Sequence, residues 1–310
     1  MNTLNTQGLH HVTAFAKDPA ENLRFYTEVL GLRLVKKTVN FDDPATYHFY
    51  FGNQNGEPGT IITFFPFQGS RPGTVGKGQA GRIYFSVPKG ALAFWKRRLE
   101  ENGLSVKEQI ILSEQVLLFN DTEDLPLAIM EDERSGQSEW TPAGITEKEA
   151  ITGMRGVLLY SYRPEATIQF LIERFGYSKT GEENQIVRLQ SEARIGHIID
   201  VDLAPKEAGI GGYGTVHHVA FRTTEKEQAE WKDILAASHL ASSDILDRSY
   251  FTSIYFRESG GILFEMATDE PGFMTDESFE NLGTELKLPE WLEEHRSQIT
   301  AVLPKMEKGE

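Results

Sequence analysis

An α+β fold of four βαβββ modules, paired into two cup-shaped half-barrels, is predicted by three features of the sequence. A repeat of low identity but common rhythm recurs four times, each repeat contains one helical stretch, and strand-like runs precede and follow that stretch. The opening runs are "GLHHVTAF", "GRIYFSV", "RGVLLYS" and "TVHHVAF", beginning near residues 8, 80, 154 and 214. Each passes through a polar or proline turn into a helix carrying an aromatic near its middle: Phe25, Phe94, Phe170 and Trp231. A glycine ends the first three helices, at Gly31, Gly103 and Gly176, where a left-handed cap is accessible; the fourth has Ser238 and His239 there. Further strand runs complete each module, for example "TYHFYFG" and "TIITFFPF" in the first and "SIYFRES" and "GILFEMAT" in the fourth. A sheet of four strands cannot cover its own concave face, so two modules must pair edge to edge into a cup whose interior is the natural place for a site.

The segment 131–152 is polar, rich in turn formers and poor in aliphatics, and marks the expected boundary. It separates an N-terminal pair of modules over 1–135 from a C-terminal pair over 150–268. A tail over 269–310 follows, with Trp291, Leu292, Ile299, Val302 and Leu303 partly at helical spacing, as a closing helix packed on the core.

Composition removes several classes of function. A formal charge of -15 argues against a nucleic-acid or anionic-membrane partner, and the absence of cysteine excludes disulfides, thiolate metal sites and cysteine nucleophiles. The start, "MNTLNTQGLHH", has no basic segment followed by an apolar run, and no uninterrupted apolar stretch approaches membrane-spanning length. A cytoplasmic protein is expected, and a homo-oligomer is compatible with the sequence.

Only the first and fourth modules carry histidines in their opening strand, His10 with His11 and His217 with His218; the other two have Ile83, Tyr84 and Phe85, and Val157, Leu158 and Leu159. The fourth strand of module four sets Glu265 among Leu263, Phe264, Met266 and Ala267, and a lone buried carboxylate is costly unless paired or metal-bound. Module one offers Thr63, Phe64 and Phe65 at the corresponding place, none a good ligand. Two imidazoles and one carboxylate with open positions suit a non-haem Fe(II) oxygenase, with Mn(II) accepted by the same ligand set. Strand alternation allows one ligand per histidine pair, and parity does not say which. A single histidine in an apolar strand is more often a hydrogen-bonded core residue, and Glu265 has Arg257 or Arg248 as salt-bridge partners, but that reading leaves the repeated pairs unexplained. His48 and His197 in strand-like runs, and His239 and His295, receive no role.

The βαβββ repeats, with histidine in strand one and glutamate in strand four, resemble the vicinal oxygen chelate superfamily over nearly the whole chain. Within it, "LHHVT", "GTVHHVAF", "DRSYFTSIYFRESGGILFEMATDEPGF" and "LPEWLEEHR" are similar to the hydroquinone-type ring-cleaving dioxygenases. That resemblance implies His11, His218 and Glu265 as metal ligands. It also implies roles around the substrate for His10, Thr13, His217, Arg248 and Tyr255: imidazole or phenol to move a proton, guanidinium to hold an oxyanion. Packing remains the alternative for Tyr255, and a solvated loop charge for Arg248. The implied activity is Fe(II)-dependent ring opening of a hydroquinone or related dihydroxylated aromatic by O2, in an apolar pocket for which Phe64, Phe65, Phe264 and Tyr255 are available. Two other readings share the fold. A glyoxalase-like lyase or isomerase with Zn(II) or Ni(II) usually has a fourth protein ligand, which Thr63, Phe64 and Phe65 do not supply. A non-catalytic binder of aromatic or drug-like compounds needs no metal triad.

Overall fold

The protein is described by a computed structural model covering residues 4–142, 144–204 and 206–306; residues 1–3 and 307–310, at which the first expected domain begins and the tail ends, lie outside the described residues. Module one contributes β1 (Leu9–Ala16), α1 (Pro19–Arg24), β2 (Arg33–Asn40), β3 (Asp43–Gly52) and β4 (Ile61–Pro66). Module two contributes β5 (Gln79–Val87), α2 (Leu92–Glu101), β6 (Lys107–Ile111), β7 (Glu114–Asn120) and β8 (Pro126–Glu131). Module three contributes β9 (Gly153–Tyr160), α3 (Pro164–Phe175), β10 (Ser178–Glu183), β11 (Ile186–Gln190) and β12 (Ile198–Asp202). Module four contributes β13 (Val216–Thr223), α4 (Glu225–Ala237), β14 (Leu246–Asp247), β15 (Thr252–Arg257) and β16 (Leu263–Thr268). The βαβββ order is therefore realised four times.

Two eight-stranded sheets result, one in the order β14-β15-β16-β13-β1-β4-β3-β2 and the other β10-β11-β12-β9-β5-β8-β7-β6. Module one pairs with module four through antiparallel β1 and β13, and module two with module three through β5 and β9. Each cup therefore takes one module from either side of the polar segment, so both sheets draw on 1–135 and on 150–268. Composition located that segment, but strand pairing is decided by which edges meet in space. The twin histidines thus fall on the two central strands of a single cup.

Local signals account for the elements. Asp18 caps α1 by accepting from the Ala20 and Glu21 amides, and Thr224 and Glu227 form a capping box on α4. Gly176 ends α3 at φ 76°, and His239 takes the same left-handed conformation, at φ 58°, after α4. The helices bury one face each, though the deepest aromatic in α2 is Trp95 rather than Phe94. Phe175 of α3 packs on Phe221, Trp231 and Phe264 of module four, which joins the two cups in one core. The tail folds as two short helices, α5 (Glu290–Glu293) and α6 (Arg296–Val302), in place of one closing helix. Ile299 and Leu303 are buried while Trp291 and Val302 are exposed, so only part of the expected stripe reaches the core. Among the described residues, no helix is long and apolar enough to cross a membrane.

Candidate active site

The β1–β13 pairing contains two irregularities, and both coincide with histidine pairs. Leu9 opposes Phe221 while His11 opposes Ala220, leaving His10 as the extra residue; Thr13 opposes His218 while Ala14 opposes Val216, leaving His217 extra. A bulge places two residues opposite one and re-aims a side chain that strict alternation would send to the far face. His10 Nδ1 consequently lies 2.8 Å from His11 Nδ1, and His217 Nδ1 lies 2.9 Å from His218 Nδ1. The expectation that one member of each pair looks away from the other is corrected by these bulges: each pair is a hydrogen-bonded unit.

The inner members converge across the strands. His11 Nε2 and His218 Nε2 are 3.1 Å apart, and Glu265 Oε2 lies 3.2 Å from the first and 2.8 Å from the second. Glu265 sits one strand over, on β16, in register with Ala220, and is fully buried. Ser253 Oγ of β15 donates to Glu265 Oε1, while Oε2 has the two imidazoles as neighbours and, among the described residues, no hydrogen bond. Burial by itself would raise the Glu265 carboxyl, but His11 and His218 outweigh it and hold the group well below the ordinary carboxylate range. Burial pushes His218 down, toward the neutral imidazole.

The outer hydrogen bonds orient the inner nitrogens. With a metal at the two Nε2 atoms, the His11 proton would sit on Nδ1, where His10 Nδ1 faces it and would accept it. Two imidazole nitrogens and a buried carboxylate oxygen thus face one point, and imidazole with carboxylate is the donor chemistry of a divalent metal site. Among the described residues, His11, His218 and Glu265 are the one group of histidine and acidic side chains close enough to share a metal ion. The residues fit a metal.

A cavity of about 220 Å³ opens above the triad, lined by His11, His218, Thr13, His217, Arg248 and Tyr255 among others. Of the eight side chains singled out in the sequence, His10 and Glu265 lie beneath the wall and the other six line it. Phe251 covers both His10 and His11, with ring centroids 5.1 and 5.2 Å away, and was not anticipated. Phe65 and Tyr255 line the cavity as expected. Phe64 and Phe264 do not: they point into the core, Phe64 against Tyr26 and Phe264 against Phe221, because they sit at the opposite parity on β4 and β16. Arg248 is mostly enclosed, lies 5.2 Å over the Tyr255 ring and 3.5 Å from Asp42, and its Nε is buried without a partner. Burial pushes His217 down to about 3, so the imidazole is neutral near pH 7. Burial drives the Tyr255 phenol far above its usual range, so it is a hydrogen-bond donor and not an anion.

His48 is the residue that sequence reasoning missed. It lines the cavity, and burial holds it well below the usual histidine range. The signal was present in "TYHFYF", where Phe49 and Phe51 take the core face and so assign His48 and Tyr50 to the other, but with aromatics on both faces the parity had no anchor. His197 belongs to the second cup, 3.7 Å from Asp132. There the places of His11, His218 and Glu265 are taken by Arg82, Gly156 and Asp200, and the Asp200 carboxylate is held by two bonds from Arg188, of 2.8 and 2.7 Å. A built-in guanidinium thus provides the positive charge in that cup.

Residues 8–111 match the profile of the "Glyoxalase/Bleomycin resistance protein/Dioxygenase superfamily". The chain is 74% identical over 303 residues to the "Putative ring-cleaving dioxygenase MhqE" of Bacillus subtilis (strain 168), covering 98% of this chain and 100% of that one. It is 32% identical over 305 residues to the "Chlorohydroquinone/hydroquinone 1,2-dioxygenase" of Sphingobium indicum, covering 94% of each. Among solved structures, a "putative dioxygenase" from Bacillus subtilis subsp. subtilis str. 168 superposes with a TM-score of 0.96 at 46% identity, covering 98% of each chain.

Proposed function

The chain belongs to the Glyoxalase/Bleomycin resistance protein/Dioxygenase superfamily and, within it, to the ring-cleaving dioxygenases, and from that premise we propose that it opens the ring of a hydroquinone or related dihydroxylated aromatic with O2, using Fe(II) held by His11, His218 and Glu265. The observation that carries this reading is the convergence of two imidazole nitrogens and an unpartnered carboxylate oxygen beneath a cavity of single-ring size. Fe(II) with three protein ligands and open positions supplies a place where an electron-rich ring and O2 meet, and a path for electron density between them; Mn(II) suits the same ligands.

The protein's own groups do the rest. A dry cavity of roughly 150 Å³ holds benzene, so about 220 Å³ admits one substituted ring and a diatomic molecule. Phe65, Phe251 and Tyr50 exclude water, which strengthens every electrostatic contact inside. Arg248, always charged, lines the cavity and would hold a phenolate oxygen. Tyr255 donates a hydrogen bond. His218 donates from Nδ1 to His217, so the His217 proton resides on its other nitrogen, on a ring that lines the cavity and can exchange it with the substrate.

The outer histidines therefore differ in function. His10→Phe is expected to weaken metal affinity by about 10- to 100-fold yet to recover turnover at saturating metal. His217→Phe is expected to lose about 100-fold or more in kcat that added metal does not restore. Metal titrations followed by initial rates check both.

An oxygen electrode tests the assignment on anaerobically Fe(II)-loaded protein, offered hydroquinones, catechols and methylglyoxal–thiol adducts in turn. Uptake with hydroquinones supports it. Conversion of the thiol adduct without uptake would make the protein a glyoxalase-like enzyme, and metal-free protein that binds the ring unchanged would make it a binder.

A further inference from the structure

The pairing of β1 with β13 relates modules one and four by a pseudo-twofold axis that matches His11 with His218. Strand registers extend the match: Thr63 pairs with Thr13 on one side as Glu265 pairs with Ala220 on the other, and Tyr50 faces Thr63 as Tyr255 faces Glu265. Thr63 is therefore the counterpart of Glu265. His48, two residues before Tyr50, is the counterpart of Ser253, two residues before Tyr255.

The two counterparts do the same thing to different groups. Ser253 holds Glu265 by a hydrogen bond, and His48 Nε2 lies 2.9 Å from Thr63 Oγ1. In module one the line continues, since Thr63 Oγ1 is 2.8 Å from Thr13 Oγ1, and Thr13 lines the cavity beside His11 and His218. His48 itself is clamped between Tyr50 and Phe65, with ring centroids 4.1 and 4.2 Å away, so its ring has little freedom to turn. The corner that has no ligand is occupied by a chain of three polar groups.

We propose that His48 is a positioning residue, whose hydrogen bond to Thr63 sets the direction of a His48–Thr63–Thr13 line and so aims the Thr13 hydroxyl at the ring bound in the cavity. Each hydroxyl has one proton and two neighbours. When the cavity holds an acceptor such as a phenolate oxygen, His48 donates to Thr63, Thr63 to Thr13, and Thr13 to the ligand. When it holds a donor, all three bonds reverse together. Without the His48 nitrogen, Thr63 has no partner on that side, and the Thr13 proton is free to turn away. The effect on turnover rests on the dioxygenase reading; the hydrogen-bonded line does not.

His48→Phe keeps an aromatic ring between Tyr50 and Phe65 but removes the nitrogen. It is expected to lower kcat with hydroquinone by about 10- to 50-fold, with KM within about 3-fold and with melting temperature and metal content unchanged. Thr63→Val is expected to match it, and the double variant to be no worse than either, because both cut one line. His48→Gln, which restores a donor, is expected to recover part of the loss. Losses that multiply in the double variant, or a His48→Phe enzyme within about 2-fold of wild type, overturn the proposal. A second readout needs no turnover: in the ¹H–¹⁵N histidine spectrum of the diamagnetic Zn(II)-loaded protein, Thr13→Val is expected to shift the His48 Nε2 resonance as Thr63→Val does. An unmoved resonance in Thr13→Val overturns the line. Wild-type protein that consumes no O2 overturns the dioxygenase reading, leaving the spectrum to decide the line.

Discussion

Glu265→Gln is expected to lower metal affinity by more than the roughly 100-fold that loss of an outer hydrogen-bond partner costs, and to abolish O2 uptake. Glutamine has nearly the shape of glutamate and keeps a polar atom for Ser253, so packing around β16 is preserved. What disappears is the negative charge that faces the His11 and His218 nitrogens and would complete the ligand set. The metal-free variant should be somewhat less stable than metal-free wild type near pH 7, since a carboxyl held below its ordinary range favours the folded state when ionised. The gap should widen when metal is added: a ligand present at about 100 times its Kd stabilises the native state by about 2.7 kcal/mol, and the variant should gain almost none of this. Thermal melts with and without Fe(II) or Mn(II) check the expectation. Equal metal-induced shifts in the two proteins would remove Glu265 from the ligand set.

The second large effect lies behind the cavity wall. Lys36 on β2 is fully buried, paired with Asp276 and Glu277 of the tail, and its ammonium lies 4.8 Å over the Tyr250 ring. Tyr250 in turn donates to Asp276 and packs on Phe273, which lies against Tyr50 in the cavity wall. Lys36→Met fills the space but takes the paired ammonium away from the buried Glu277 carboxylate, and breaking such a pair typically costs about 3–5 kcal/mol. The expected result is a large drop in melting temperature together with earlier proteolysis of the tail. Adding Glu277→Gln to Lys36→Met should recover much of the loss, because the stranded charge is then gone. Loss of this anchor should also raise KM, since Tyr50 loses the Phe273 support that keeps the wall in place.

The modules and the triad were readable in the sequence because their residues are chemically out of place: imidazoles and a carboxylate in apolar strands need a reason, and the repeat supplied positions for them. Pairing of the first module with the fourth was written only indirectly, in the fact that those two alone carry strand-one histidines. The bulges were not readable, because alternation is a rule of regular strands and an extra residue is visible only once two strands are in register. Phe64 and Phe264 illustrate the same limit, with aromatics on both faces of a strand giving no sign of which face is the cup. His48 was passed over for that reason. Nothing in the sequence marks Lys36 as buried, because its partners lie about 240 residues away.

Isotope labelling tests the central claim most directly. Fe(II)-loaded protein is given a hydroquinone under ¹⁸O2, and the product is weighed by mass spectrometry while O2 uptake is recorded. A ring-opened product carrying both labelled oxygens, with one O2 consumed for each ring, is the result expected. A quinone accompanied by hydrogen peroxide, or no uptake at all, would contradict it.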